Sequence, residues 1–146
     1  MLVAIEYIAT LSSTLFAGAA IYINLVEHPA RMGCDTKIAF TQWAPSYKRA
    51  TVMQASLAIL GFLAGVSAWL LGAGSMWLAG AVLLGAVVPF TFTAIMSTNH
   101  ALLTPERDLS SPETRALLEK WGRLHAVRSV LSLLASLVFV WLLTVS

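Results

Sequence analysis

The stretch "ATVMQASLAILGFLAGVSAWLLGAGSMWLAGAVLLGAVVPFTFTAIMSTNHALLTP" covers residues 50–105 and contains no Asp, Glu, Lys or Arg. Its 56 residues are enough for two membrane-spanning helices, since one span needs roughly 20 apolar residues. Near its middle, Gly72 and Gly74 in "LLGAGSMW" (residues 70–77) are typical of a tight turn. The stretch therefore predicts a helical hairpin in a bilayer, where backbone polar groups must pair within the protein.

Two further uncharged runs, residues 7–26 and 129–146, lie on either side of this hairpin. The whole chain is 58% hydrophobic and 11% charged, whereas soluble domains carry about 25% charged residues. We therefore predict one all-α domain over residues 1–146, an integral membrane four-helix up-down bundle surrounded by the lipid bilayer. The predicted spans lie near residues 2–26, 51–72, 75–97 and 122–144.

The segments between the spans also carry helical patterns. Aromatic residues at positions 40, 43 and 47 share one helix face, and Pro45 interrupts it, which predicts a short interfacial helix before the second span. Ser111 is a candidate N-cap and Pro112 suits the first helical turn, so the fourth helix is predicted to begin there and to project from the membrane. The tryptophans are expected to form two interfacial belts, Trp69, Trp77 and Trp141 at one level and Trp43 and Trp121 at the other.

The basic residues predict the orientation of the chain. All nine Lys and Arg lie within residues 31–49 and 107–128, and neither the turn near residue 73 nor the C-terminus has any. By the positive-inside rule, these two loops are expected to be cytoplasmic and both termini external. Basic residues placed in this way indicate membrane topology and not binding of nucleic acid, and the expected location is a bacterial inner membrane.

Polar side chains from all four spans are predicted to meet at the basic end of the bundle. An arginine at the centre of a span costs roughly 2.5–3.5 kcal/mol, and polar groups within spans generally face the bundle interior. Arg128 therefore needs a partner, and Glu27 is the predicted one. The converging residues are Asn24, Glu27 and His28 from the first helix, Tyr47 and Gln54 from the second, Asn99 and His100 from the third, and Trp121, His125 and Arg128 from the fourth.

Three kinds of chemistry fit these residues. His28, His100, His125 and Glu27 are candidate metal ligands, although no H-x-x-x-H, E-x-x-H or C-x-x-C motif is present. A haem between His28 and His125 is less favoured, since both histidines lie near the membrane boundary. Without any cofactor, His28 or His125 would act as a general base near neutral pH, and Arg128 would hold the resulting anion.

Four motifs together resemble the anthrone oxygenase-like family of small membrane proteins, whose bacterial members are catalogued mainly as a domain of unknown function. They are "NLVEHPAR" (24–31), "WAPSYKRATVMQ" (43–54), "NH" (99–100) and "KWGRLHAVRSVLS" (120–132). The resemblance covers nearly the whole chain, and fungal relatives oxidise an anthrone to an anthraquinone with molecular oxygen. It implies that the converging residues other than Glu27 are motif positions of the family.

The leading hypothesis is therefore O2-dependent oxidation of a small, lipid-soluble aromatic or phenolic substrate, with His28, His125 and Arg128 as catalytic residues. Substrate binding is assigned to Asn24, Tyr47, Gln54, Asn99 and Trp121. Two alternatives stay open: a metal- or haem-binding membrane protein that uses the same histidines, and a small transporter or accessory subunit. A transporter of this size would need to form a homo-oligomer to enclose a path.

Overall fold

The computed structural model describes residues 1–145, and within them the chain is helical throughout apart from short connections. Four helices are long and apolar enough to cross a membrane, as expected of an integral membrane protein. They are α1 (Leu2–Met32), α2 (Thr36–Ala73), α3 (Ser75–Leu102) and α4 (Pro112–Val145). The four spans predicted from the uncharged runs are confirmed, and each helix extends beyond its predicted span at the basic end.

The helices form an up-down bundle in which α1 packs against α2 and α4, and α3 packs against the same two helices. The connections at the basic end are residues 33–35 and 103–111, whereas α2 and α3 meet at a turn. In this turn Gly72 and Gly74 have φ angles of +91° and +109°, which only glycine adopts readily. Apolar side chains such as Leu25 and Val52 lie on the outer surface, where they would contact lipid.

The bundle interior is filled by aromatic rings that pack against small residues. At the turn end, Trp77 stacks on Phe139 with ring centroids 5.3 Å apart. A Cβ atom at Gly65 or Gly80 would lie within 2.9 Å of the Phe139 ring, so both glycines are needed for this close packing. Further rings fill the middle and the basic end, among them Phe16 and Trp43.

The prediction of two tryptophan belts is wrong for three of the five tryptophans. Trp43, Trp77 and Trp121 are buried, with exposed fractions of 0%, 1% and 4%, whereas Trp69 and Trp141 are exposed. The glycines and alanines of the facing helices leave enough space for indole rings inside the bundle. Burial of the large aromatic surface therefore prevails over the preference of tryptophan for the membrane interface.

The segment before the second span is not a separate interfacial helix. Regular helix runs without a break from Thr36 to Ala68, and Pro45 lies within it. Pro45 and Thr41 are both exposed, so the carbonyl that loses its partner lies on the outer face of the helix, where water or headgroups can satisfy it. On the inner face Trp43 stacks on Tyr47 at 4.9 Å, which stabilises the continuous helix.

Helix α4 begins where the sequence predicts. The Ser111 hydroxyl accepts a hydrogen bond from the backbone N–H of Thr114 at 3.1 Å, as expected of an N-cap. The helix then continues for 34 residues to Val145. Its first turns lie beside α1 at the basic end, where Arg115 donates to the carbonyl of Met32 at 2.5 Å.

Candidate functional site

A hydrogen-bonded trio at the basic end joins α1 to α4. Asn24 lies in a π-helical segment of α1 (Ile23–Glu27), a local widening that is frequent at functional sites. Its Nδ2 donates to the carbonyl of Gly122 at 3.0 Å. This orients its Oδ1 toward α4, where it lies 2.8 Å from Nδ1 of His125 and 2.5 Å from the Ser129 hydroxyl.

The position of Asn24 determines the tautomer of His125. Because an amide oxygen only accepts hydrogen bonds, we assign the proton of the neutral ring to Nδ1, which donates it to Asn24. Nε2 then carries the free lone pair and is the basic atom. The His125 ring is itself buried and stacks on Trp121 with centroids 4.9 Å apart, so its orientation is held from two sides.

Arg128 has neutral partners. Its Nη2 donates to Oε1 of Gln54 on α2 at 3.0 Å, and its guanidinium lies 5.5 Å from the centroid of the Phe16 ring. Within residues 1–145 it forms no ion pair with a carboxylate. The predicted Glu27–Arg128 pair is therefore not formed, and the side chain that accepts a hydrogen bond from Arg128 comes from α2.

Glu27 instead belongs to a network that includes Arg31, which is buried. Its carboxylate pairs with Arg31, one turn later on α1, where side chains four residues apart are neighbours. It also accepts hydrogen bonds from Ser46 and Gln42 on α2, the latter at 3.3 Å. The continuous α2 helix brings these two residues beside α1, which a separate interfacial helix would not have done.

Two adjoining cavities lie beside these residues. The smaller, of about 10 Å³, is lined mostly by polar side chains from α1, α2 and α4, which include Arg31, Ser46, Tyr47, Gln54, His125 and Arg128. The larger, of about 110 Å³, is lined by Phe16, Ala55, Ala58, Val87, Phe92 and Met96, among others. Tyr47, Thr51, Gln54 and Arg128 line both. The site thus has a polar chamber at one end and an apolar cavity at the other.

Four residues that line the polar chamber have N–H groups without a hydrogen-bond partner. They are the Nε of Arg31 and of Arg128, the Nε2 of Gln54 and the Nε1 of Trp121, all buried and unpaired within residues 1–145. A buried donor without a partner costs about 1–3 kcal/mol, so such groups call for an explanation. Four such donors from three helices around one chamber are chemically suited to an oxygen atom that carries negative charge.

Tyr47 is held between the two cavities by its neighbours. Its hydroxyl accepts a hydrogen bond from Nδ2 of Asn99 at 3.1 Å, and its ring stacks on Trp43 at an interplanar angle of 6°. Trp43 in turn packs edge-on against Trp121, with centroids 5.8 Å apart. Asn99 does not line either cavity, so its role is to position Tyr47.

The structure brings two of the three histidines close to one another. The His28 and His125 rings lie against Trp121, with centroid distances of 5.3 Å and 4.9 Å. His28, however, lines an outer groove between α1 and α4 and not the polar chamber. Its Nδ1 is 3.4 Å from a guanidinium nitrogen of Arg31, which can only donate, so this nitrogen of His28 is the acceptor.

His100 is exposed at the end of α3, away from the other histidines. Glu27 is engaged by Arg31 and Ser46. The four predicted metal ligands are therefore not brought together, and residues 1–145 contain no group of three or more His, Cys, Asp or Glu side chains that would hold a metal ion. These residues lie at the same end of the bundle, but their side chains have different neighbours.

Sequence reasoning missed Gly122, which allows the closest contact in the site. A Cβ atom at this position would lie 2.6 Å from both Nε2 and Cδ2 of His28, and the Gly122 carbonyl accepts the hydrogen bond from Asn24. Glycine within a helix costs about 1 kcal/mol relative to alanine. A glycine beside Trp121 in an otherwise helical pattern was therefore a signal of close packing. Arg31 and Ser129 were missed as well, and they had no comparable signal.

Replacing Gly122 with alanine is expected to displace His28 and to lower the free energy of unfolding by about 1–3 kcal/mol, the usual cost of overpacking. Thermal melts in detergent would measure this. Gly18→Ala is the matched control, because Gly18 also lies within a long helix, α1, but has nothing within 4 Å of an added Cβ. It should be neutral or stabilise by up to about 1 kcal/mol. Equal melting temperatures for the two variants would contradict the packing assigned to Gly122.

Comparison with known proteins gives a consistent result. The sequence model of a family described as anthrone oxygenase matches residues 43–138, more than half of the chain. An anthrone oxygenase of Claviceps purpurea is 27% identical over 144 residues, covering 88% of this chain and 82% of that protein. An anthrone oxygenase of Aspergillus fumigatus is 27% identical over 138 residues, covering 88% of this chain and 86% of that protein. No solved structure matches the chain.

Proposed function

The chain belongs to the anthrone oxygenase family, and from this we propose that it oxidises a small, lipid-soluble aromatic or phenolic substrate with O2 at the basic end of the bundle. The substrate ring lies in the apolar cavity and its oxygen atom in the polar chamber. The observation that carries this proposal is the set of unpaired N–H groups around the chamber, which belong to Arg31, Gln54, Trp121 and Arg128.

His125 is the proposed general base. With its proton on Nδ1, its Nε2 is free to remove a proton from a phenolic O–H or from a C–H made acidic by an adjacent carbonyl. The hydrogen bond from Nδ1 to Asn24 supports the positive charge that the ring then acquires. Ser129 holds the same Asn24 oxygen, so the ring and its partner stay aligned during the transfer.

Arg128 is the proposed anion-binding residue. Its partners in the described part of the chain are an amide oxygen and an aromatic face, and neither is a counter-ion. A phenolate or enolate oxygen in the chamber would supply that counter-ion, and hydrogen bonds between charged groups are about twice as strong as those between neutral groups. Donors already fixed in a site without water stabilise a developing anion most effectively.

The overall reaction is balanced without an external reductant. A methylene group between two aromatic rings reacts with one molecule of O2 to give a ketone and one molecule of water. The methylene carbon loses four electrons and O2 accepts them; one oxygen atom enters the new carbonyl group and the other leaves as water. The proton that His125 first removes returns to the oxygen that leaves, so the base is regenerated.

The experiment is oxygen consumption by the purified protein in detergent with 1,8-dihydroxyanthrone, measured above its spontaneous oxidation. We expect one O2 consumed for each quinone formed, and one oxygen atom from 18O2 in the new carbonyl. Elemental analysis and an absorption spectrum of the same sample would identify any bound metal or haem. No acceleration over the spontaneous rate for this and for simple phenols would overturn the proposal.

We also propose that the basic end, which contains the site, faces the cytoplasm, as the placement of Lys and Arg predicts. Cys34 is the only cysteine of the chain, and it is exposed. In a Cys34→Ser background, a cysteine introduced at Ser110 is therefore expected to resist a membrane-impermeant thiol reagent added to intact cells. It should react once the cells are opened. Labelling of this cysteine in intact cells would contradict the proposed orientation.

A further inference from the structure

An apolar groove lies on the lipid-facing side of the bundle between α2 and α3. It has a volume of about 550 Å³, and its lining includes Ile59, Leu63, Val82, Ala86, Val88 and Pro89. Every residue that lines it is apolar. Ile59, Leu63 and Val82 are more than half exposed, so the groove is open to the surrounding lipid along its length.

The groove adjoins the cavity of the candidate site. Ala58 and Val88 line both of them. The shape of α3 produces this junction: regular helix ends at Gly85, Pro89 has no backbone N–H to donate, and a π-helical segment follows at Thr91–Ile95. At the break the Phe62 ring packs against Gly85, and both residues line the groove with Ala86.

The cavity is too small to enclose a whole substrate of ordinary size. Its volume is about 110 Å³, whereas pockets that enclose drug-sized ligands measure about 300–1,000 Å³. One aromatic ring with its oxygen is the part of a ligand that such a space suits. The remainder of a larger substrate must lie outside the cavity, and Ala58 and Val88 direct it into the groove.

We propose that the substrate is a phenol or related ring with an acidic group that carries a linear apolar tail, and that the tail lies in the groove between α2 and α3. This inference rests on the proposed function, since the ring occupies the same cavity with its oxygen near Arg128. The ligand enters sideways from the bilayer. A polar tail does not fit, because the groove offers no polar partner.

The groove orients the ligand more than it raises the affinity of the ligand for the protein. A tail that moves from lipid into the groove leaves one apolar environment for another, so no hydrophobic driving force is gained. The effect of the bound tail is instead to hold the ring beside His125 and Arg128. A side chain that fills the groove should therefore reject a ligand with a tail and leave the binding of a ligand without a tail unchanged.

The test compares 4-methylphenol with 4-dodecylphenol in lipid nanodiscs, at equal mole fractions in the lipid, with quenching of tryptophan fluorescence as the measure of binding. Ala86→Phe fills the groove, and Val82→Phe does so from a more exposed position. Each should weaken 4-dodecylphenol binding about tenfold, equivalent to about 1.4 kcal/mol, and leave that of 4-methylphenol unchanged. Val140→Phe, on the lipid-facing surface of α4, is the control and should change neither.

An unchanged affinity for 4-dodecylphenol in both groove variants would overturn the inference and would assign the groove to a membrane lipid. Equal weakening of both phenols would also overturn it, since the variants would then act on the cavity. Arg128→Gln separates this failure from failure of the proposed function. If Arg128→Gln weakens the binding of both phenols, the ring site is supported, whatever result the groove variants give. If neither phenol binds the parent protein, both proposals fall.

Discussion

Arg128→Gln is expected to lower the rate of turnover by about 10²–10³-fold, the usual cost of removing a donor that stabilises an oxyanion, and to leave the bundle folded. Arg128 has no carboxylate partner in the described part of the chain, so its removal strands no buried anion. The loss of the hydrogen bond to Gln54 is offset in part, because a cation no longer lies within a membrane span. Oxygen consumption and thermal melts of the same preparation would measure both effects.

Two further variants make the result specific. Arg128→Lys keeps the charge but not the planar fork of donors, so it should recover only part of the activity. Glu27→Gln removes the charged partner of the buried Arg31, and because Glu27 is partly exposed the cost should lie below the roughly 3–5 kcal/mol of a fully buried pair. It should therefore lower the melting temperature more than Arg128→Gln does. The reverse order of melting temperatures would show that Arg128 is the structural arginine of the two.

His125→Phe is expected to lower turnover by about 10²–10⁴-fold, the range attributed to a general base, while the protein still binds 4-methylphenol. The replacement ring can still stack on Trp121, and the Asn24 oxygen keeps its hydrogen bond from Ser129, so the loss of stability should be small. Single-turnover kinetics with 1,8-dihydroxyanthrone, together with fluorescence binding, would separate the loss of chemistry from the loss of binding.

His28→Asn is the matched control for this second prediction. The asparagine oxygen can accept the hydrogen bond that Arg31 now directs at Nδ1 of His28, and the polar chamber is untouched because His28 faces the outer groove. We expect turnover close to that of the parent protein. If His28→Asn loses turnover and His125→Phe retains it, the base is His28 and the roles assigned to the two histidines are exchanged.

The membrane fold follows from composition, because lipid excludes charge from the spans and requires backbone groups to pair internally. This is why the uncharged runs predict all four helices, and why the positions of Asn24, Gln54, His125 and Arg128 at the same end of their spans predict a polar site. The depth of a residue in the membrane depends only on its position along its own helix. It can therefore be derived from a single sequence.

The direction in which each side chain points is a property of pairs of helices, and it was predicted less well. The π-helical segment Ile23–Glu27 changes the facing of the residues within and after it, so regular helical spacing did not show that Asn24 would contact His125 or that Glu27 would contact Arg31. Likewise, the continuation of α2 through Pro45 depends on tertiary packing of Trp43, which the sequence pattern does not contain.

The uncompensated charge of Arg128 has a thermodynamic consequence for the whole bundle. A ligand that binds the folded protein alone stabilises it by mass action, by about 2.7 kcal/mol at a concentration one hundred times its dissociation constant. Because Arg128 has no carboxylate partner within residues 1–145, ionised ligands should stabilise the bundle more than neutral ligands of the same shape. The melting temperature of the bundle should therefore depend on the charge of the bound ligand. Melting curves with ionised and neutral ligands would then show the charge of the substrate before its structure is known.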